Sequence, residues 1–307
     1  MNGRQAVLVA VTVMVFASVI AVGLQEEPRG DDYTPSVVTS IYPLGYLARE
    51  IGRGVFSVTV LMPPNQDAHS FHPTTQDWLE ATRAEVLVYS GAGVDRWFEE
   101  ELLPDLDTGS RVVVETSREL DLVEADGHDH GGTDPHTWLS PRTAILEGQA
   151  IYEAMVTFVQ GAPEPMTSNW LALRAELEDL DAAYSGGLAN ATRDEVVVAH
   201  EAYGYLARDY GFQQHGVIGI SADEQPSVAG LADLVELMRD EGIDTVFVDP
   251  AFSQDYARML EDELEARTGA PVAVERLYLA MGEVDGLDYM EQMEANLEAL
   301  SSGLGVP

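Results

Sequence analysis

The chain has 307 residues, of which 53 are acidic, 16 are basic and none is Cys, and its formal net charge is −37. All the basic residues are Arg. This balance excludes a nucleic-acid-binding surface, which needs clustered cations, and the lack of Cys excludes disulfides, thiolate metal ligands and a lipid-bearing Cys. An acidic, Lys-free surface is typical of salt-loving organisms, so we expect a halophilic protein, with an ordinary acidic secreted protein as the alternative.

The chain begins with an apolar, uncharged run from Ala6 to Leu24, preceded by Arg4 and followed by acidic residues. This run is long enough to span a bilayer as a helix. If Arg4 lies on the cytoplasmic side of the membrane and the acidic residues on the other side, the rest of the chain lies on the outer face of the cytoplasmic membrane. We therefore predict that residues 1–24 are a signal peptide or a membrane anchor, that residues 25–35 are a tether, and that the protein is exported and either anchored or secreted.

Short runs rich in β-branched residues then alternate with helical stretches, first in residues 36–162 and again in residues 191–307. This alternation predicts two α/β lobes, each with a mostly parallel sheet covered by helices. The predicted strands are Val37–Ser40, Val55–Leu61, Val86–Tyr89, Val112–Glu115, Val196–Ala199, Val217–Ile220, Thr245–Val248 and Val272–Val274.

A long helical stretch within residues 163–190 connects the two series. Pro163 and Pro165 mark its start. Since a helix is stiffer than a pair of strands, we predict a rigid connection and a ligand-binding cleft between the lobes, at the carboxyl ends of the strands. Apolar residues recur along the stretch at intervals of three and four, at Trp170, Leu173, Leu177, Leu180, Tyr184 and Leu188.

Three of the seven His residues stand at comparable places in this predicted topology. His69 and His136 lie in loops that follow strands of the first lobe, and His200 ends a strand of the second lobe. Imidazole suits Zn²⁺ and other late divalent metals, and a carboxylate or water normally completes such a site. These positions favour a metal site, with exposed loop histidines as the alternative.

Seven motifs follow one another along most of the chain. They are TSIYPL at Thr39–Leu44, DAHSFHPTTQDW at Asp67–Trp78, DPHTWLSP at Asp134–Pro141, HEAYGYLARDYGF at His200–Phe212, GISADEQPS at Gly219–Ser227, VFVDPAFS at Val246–Ser253 and NLEAL at Asn296–Leu300. Their order and spacing resemble the metal-binding receptors of zinc and manganese ABC importers, a group that includes high-affinity zinc-uptake and streptococcal-adhesin-type proteins. The resemblance implies two lobes, a rigid interlobe helix and one metal in the cleft.

By this resemblance, the metal ligands are His69, His136 and His200. The fourth position falls in the strand after Pro271, where Glu275 replaces the family's usual Asp; water and Asp249 are the alternatives. Manganese receptors of the family tend to carry a carboxylate at the third position. His200 therefore favours Zn²⁺, with Mn²⁺ or Fe²⁺ as the alternative cargo.

Four other residues lie near the expected site. Glu201 and His72 are lesser candidates, because the resemblance makes each a neighbour of the ligands rather than a ligand. His128 and His130 lie in a Gly-rich loop where zinc-type relatives carry a longer His-rich loop. These two residues either capture Zn²⁺ weakly or are ordinary loop residues.

The resemblance implies a zinc receptor without enzymatic activity that delivers its metal to the permease and ATPase subunits of an ABC importer. We expect it to be a monomer that binds no nucleic acid. A secreted zinc hydrolase is a rival, but it would need an open metal position and a placed base. The chain contains neither an HExxH motif nor a Gly-x-Ser-x-Gly elbow. A surface adhesin is the third hypothesis, because some members of the group carry that label.

Overall fold

The computed structural model describes residues 33–124, 132–219, 228–250, 255–269 and 271–307. The predicted signal peptide or anchor, most of the tether, and the loop residues His128 and His130 lie outside these ranges. Within them, no helix combines the length and the apolar character needed to cross a membrane.

Two four-stranded parallel sheets form the framework. The first has the strand order β2-β1-β3-β4 and contains β1 (Ser36–Thr39), β2 (Ser57–Val60), β3 (Val86–Tyr89) and β4 (Val112–Glu115). The second has the order β6-β5-β7-β8 and contains β5 (Glu195–His200), β6 (Gln213–Ile218), β7 (Thr245–Val248) and β8 (Ala273–Arg276). The predicted α/β fold with two parallel sheets is confirmed.

Eight α-helices occur in the described part of the chain, because parallel strands need crossover connections. They are α1 (Tyr42–Gly52), α2 (Thr75–Arg83), α3 (Pro141–Val159), α4 (Glu164–Leu188), α5 (Gly204–Tyr210), α6 (Val228–Glu241), α7 (Asp255–Thr268) and α8 (Tyr289–Gly303). A π-helical turn at Phe98–Leu102 and 3-10 turns at Leu103–Asp105, Thr108–Ser110 and Thr137–Leu139 complete the helical segments.

Strand burial follows position in the sheet. The central strands β3 and β7 are buried along their whole length, whereas the edge strands β2 and β8 are partly exposed. The sequence predicted the bounds of β3, β4 and β7 correctly, and β3 and β7, buried on both faces, read as continuous apolar runs. At the edge, the predicted strand Val55–Leu61 is longer than the observed Ser57–Val60.

The helix α4 connects the two sheets as the sequence predicted. It starts after Pro163, carries Pro165 in its first turn, and buries the predicted apolar face. It packs against α1 and α3 of the first lobe and against α8 at the end of the chain. The Tyr184 hydroxyl donates a hydrogen bond to the Met293 carbonyl at 2.7 Å. A continuous helix held at several places makes a stiff connection.

The last helix, α8, packs back onto the first lobe. Asp288 and Glu291 form the predicted capping box at its start. The Tyr289 ring lies 5.3 Å from the Tyr46 ring of α1, and the Tyr289 hydroxyl donates to the Trp138 carbonyl at 2.5 Å. The sequence assigned residues 191–307 to the second lobe and did not anticipate this contact. It adds a second connection between the lobes besides α4.

Candidate metal centre

A small cavity lies between the lobes, where loops and strands from both sheets end. Its volume is about 20 Å³, which is enough for one water or ion. Its walls are formed by Gln66, Asp67, Ala68, His69, Val94, His136, Trp138, His200, Leu279 and Met281.

The structure brings together the three histidines that the sequence singled out. His136 is almost fully buried, at 3% exposure, and stands between the other two. Its ring centroid lies 5.1 Å from that of His200 and 6.0 Å from that of His69. His200 comes from the second lobe and the other two from the first, so an ion held by all three would join the lobes.

The ring separations suit a zinc site with a small adjustment. In a tetrahedral site with Zn–N bonds of about 2.1 Å, the centroids of two ligand imidazoles lie roughly 5 Å apart. The pair His136 and His200 already meets this spacing, whereas His69 stands about 1 Å too far from His136. Accordingly, no three His, Asp or Glu side chains of the described residues already converge on an ion position. An ion held by all three histidines would therefore require His69 to move inward.

Two aspartates shape the loops that carry His69 and His136. Asp67 Oδ1 accepts a hydrogen bond from the His69 backbone N–H at 3.0 Å, and Asp134 Oδ1 accepts one from His136 at 2.9 Å. Asp134 Oδ1 also lies 2.8 Å from His136 Nδ1. A carboxylate at Nδ1 fixes the ring orientation and leaves Nε2 for a metal.

Asp134 also contacts the second lobe. Its second oxygen is buried without a hydrogen-bond partner among the described residues. A Cβ atom at Gly204, the first residue of α5, would lie 2.4 Å from this oxygen. The Tyr205 hydroxyl donates to the Asp134 carbonyl at 2.7 Å. Only a glycine lets α5 come this close to the loop of His136.

Apart from Gln66 and Asp67, the remaining wall of the cavity is apolar, and it is fixed across the lobes. Val94 and Trp138 come from the first lobe, and Leu279 and Met281 follow β8 in the second. The Trp138 indole N–H donates to the Leu279 carbonyl at 2.8 Å. The segment after β8 thus turns aliphatic and thioether side chains towards the histidines, where a carboxylate was expected.

Neither Glu275 nor Asp249 is among the residues that line the cavity. Glu275 lies in β8, and its Oε1 accepts a hydrogen bond from the Ser302 hydroxyl of α8 at 3.3 Å. This placement argues against the expected role of Glu275 as fourth ligand. Asp249 accepts a hydrogen bond from the Leu279 backbone N–H, so it positions the segment that lines the cavity.

The two lesser candidates are also placed outside the cavity. Glu201 accepts a hydrogen bond from the Gly216 backbone N–H at 3.0 Å, which directs its carboxylate towards β6. The His72 side chain is 78% exposed, and its Nδ1 lies 2.9 Å from Glu101 Oε1. Neither residue lines the space between the three histidines.

Sequence reasoning missed Asp134, although a pattern points to it. The tripeptide Asp-x-His occurs at Asp67, Asp126 and Asp134, and the first and last of these carry a His that lines the cavity. At Asp67 and Asp134 the carboxylate accepts a hydrogen bond from the backbone N–H of that His. The repeated spacing makes both aspartates candidates for loop-shaping residues, together with Asp126, which lies outside the described residues.

Comparison with known proteins gives consistent matches. A family model described as zinc-uptake complex component A, periplasmic, matches residues 37–303. The chain is similar to the high-affinity zinc uptake system protein ZnuA of Bacillus subtilis, with 31% identity over 87% of each chain. It is 26% identical to the iron-binding protein YfeA of Yersinia pestis, over 96% of this chain and 94% of that protein. The structure of the periplasmic zinc binding protein TroA from Treponema pallidum shares the fold, with a TM-score of 0.80 and 24% identity over 89% of this chain and 99% of that one.

Proposed function

Since the chain belongs to the family of periplasmic zinc-uptake components A, we propose that it is the extracytoplasmic receptor that binds Zn²⁺ and delivers it to an ABC permease. Members of this family are receptors for metal transport and not enzymes, so retention and release of the ion are the tasks of the site. The proposed ligands are His69, His136 and His200.

One observation carries this proposal: three imidazoles from two lobes line a space that fits a single ion. Because His200 belongs to the second lobe, the bound ion stabilises the arrangement of the lobes that a permease would recognise.

The chemistry of the cavity favours zinc over manganese. Imidazole ligands suit zinc, whereas manganese prefers carboxylate, carbonyl and water oxygens. Among the lining residues only Asp67 carries a carboxylate, and its two oxygens already accept hydrogen bonds from the His69 N–H and the Ser70 hydroxyl. We infer that water, rather than Glu275, completes the coordination. Fe²⁺ and Mn²⁺ are the competing cargoes.

The proposed place of action rests on the description of the family and on the apolar run Ala6–Leu24. The family is described as periplasmic, and the apolar run Ala6–Leu24 is suited to export or anchoring. The partners in this proposal are the permease and ATPase subunits of an ABC importer. The receptor works outside the membrane as a monomer.

Calorimetric titration of the metal-stripped, full-length protein in high salt tests the proposal. We expect one tightly bound Zn²⁺ per chain, weaker binding of Mn²⁺ and Fe²⁺, and a lower zinc affinity at pH 5.5 than at pH 7.5, because protons compete for imidazole. Glu275→Gln should leave zinc affinity unchanged. Failure of all three metals to bind more tightly than micromolar would contradict the receptor function.

A further inference from the structure

A buried carboxyl group lies behind the loop that carries His136. Glu147, on the helix α3, is completely buried. Its Oε1 accepts hydrogen bonds from the Thr137 hydroxyl at 2.5 Å and from the Thr116 hydroxyl at 3.4 Å. Its Oε2 is buried without a hydrogen-bond partner in the described part of the chain. Burial raises the pKa of Glu147 to about 7, and its bonds to the two hydroxyls oppose this shift.

Packing alone does not account for this group. A leucine at position 147 and a valine at position 137 would fill a similar space without removing a carboxyl and a hydroxyl from water. A buried carboxyl group with an oxygen that has no hydrogen-bond partner lowers the stability of the folded protein. What Glu147 provides, and what an aliphatic side chain could not provide, is a hydrogen-bond acceptor for Thr137.

Thr137 is the residue that follows His136, and it is held from two sides. Its hydroxyl bonds to Glu147, and its carbonyl accepts a hydrogen bond from the Thr143 hydroxyl in the first turn of α3. On the other side of His136, Asp134 holds the backbone N–H and Nδ1. The His136 backbone is therefore held by Asp134, two residues before it, and through Thr137, which directly follows it, so the orientation of its ring depends on both.

We propose that Glu147 is a positioning residue that, through Thr137, holds the His136 imidazole in the orientation required to bind the metal. The proposal rests on the metal-receptor function proposed above. It assigns to α3 a role beyond packing against the sheet: its buried acid connects the core of the first lobe to the ligand. Glu147 itself is not among the residues that line the cavity.

The test compares zinc affinity, measured by calorimetry on the full chain, in variants of this pair. Glu147→Leu removes the acceptor and should lower zinc affinity about 10- to 100-fold, the usual effect of losing a group that orients a metal ligand. Glu147→Gln keeps an oxygen for Thr137 and should stay within about threefold of the wild type. Thr137→Val should lower zinc affinity as well. Thr137→Ser keeps the hydroxyl and should bind zinc like the wild type.

The losses of zinc affinity caused by changing Glu147 and Thr137 should not be additive. If Glu147 acts through Thr137, the double variant Glu147→Leu/Thr137→Val should bind zinc about as weakly as Glu147→Leu alone, because both changes break the same bond. Independent, additive losses would contradict the proposed route. Should Glu147→Leu fail to fold, Thr137→Val with its Thr137→Ser rescue provides the same test.

Ile151→Ala is the matched control, since Ile151 is fully buried on the same helix and is not among the cavity-lining residues. It should reduce thermal stability while leaving zinc affinity unchanged. Equal losses of affinity in Ile151→Ala and Glu147→Leu would show general destabilisation and overturn the proposal, as would wild-type affinity in Glu147→Leu. Absence of zinc binding by the wild type would instead contradict the receptor function itself.

Discussion

The two lobes build their sides of the cavity in different ways. On the first-lobe side, His136 is held by buried polar groups, with Asp134 at its ring and Thr137 at its backbone. On the second-lobe side, the groups facing the cavity are His200 at a strand end and the apolar side chains of Leu279 and Met281. In the proposed site, the first lobe would thus orient a ligand, whereas the second lobe would close the site and limit which donors reach the ion.

Removing a ligand from either side should have the largest effect. We expect His136→Ala and His200→Ala each to lower zinc affinity by at least about 100-fold, more than the loss of an orienting group. Calorimetry on the metal-stripped full-length chain measures both. His72→Ala is the control, because the His72 side chain is 78% exposed and outside the cavity, and it should bind like the wild type. A zinc affinity in His200→Ala equal to that of the wild type would exclude the second lobe from coordination.

Placing an oxygen on the apolar side should change the preference between metals. Leu279→Asp adds a carboxylate opposite the histidines, so we expect affinity for Mn²⁺ relative to Zn²⁺ to rise about 10-fold. Competition titrations with both metals measure this ratio. Leu279→Ala, which removes the side chain without adding an oxygen, should leave the ratio unchanged. An unaltered ratio in Leu279→Asp would mean that this wall does not govern selectivity.

The sequence revealed much of the first-lobe side and less of the second. The three histidines that line the cavity could be singled out from the sequence, because they stand at strand ends or in the loops that follow strands. Glu275, expected as the fourth ligand, is not among the lining residues; β8 is a short edge strand, and side chains alternate between its faces. Glu275 bonds to Ser302, whereas the cavity is lined by residues beyond the end of β8, beginning with Leu279. No apolar pattern in the sequence distinguishes these residues from the core.

The contact between the lobes should be sensitive to a single methyl group. In Gly204→Ala, the new Cβ would lie 2.4 Å from Asp134 Oδ2, so the carboxylate or α5 must move. We expect zinc affinity to fall about 10-fold, because Asp134 orients His136. Gly186→Ala is the matched control on α4, where a Cβ would meet no atom within 4 Å. If both variants bind zinc equally well, the close approach at Gly204 does not support the site.

The buried acid of the first lobe should appear in the pH dependence of stability. The pKa of Glu147 is raised from 4.5 to about 7, so between these values the folded state holds more protons than the unfolded state. The free energy of unfolding therefore falls as the pH rises through this window. Glu147→Gln does not titrate, and its stability relative to the wild type should increase by up to about 3 kcal/mol from pH 4.5 to pH 8. Denaturant titrations without metal measure this; parallel curves would contradict it.

X-ray absorption at the zinc edge tests the central claim most directly. The full-length protein is loaded with one equivalent of Zn²⁺, and the number and type of ligands are read from the spectrum. We predict three imidazole nitrogens at about 2.0 Å from the zinc and one further light atom from water. The same spectrum should be obtained from Glu275→Gln. A spectrum with fewer than three imidazoles, or one that changes in Glu275→Gln, would contradict a site built from His69, His136 and His200.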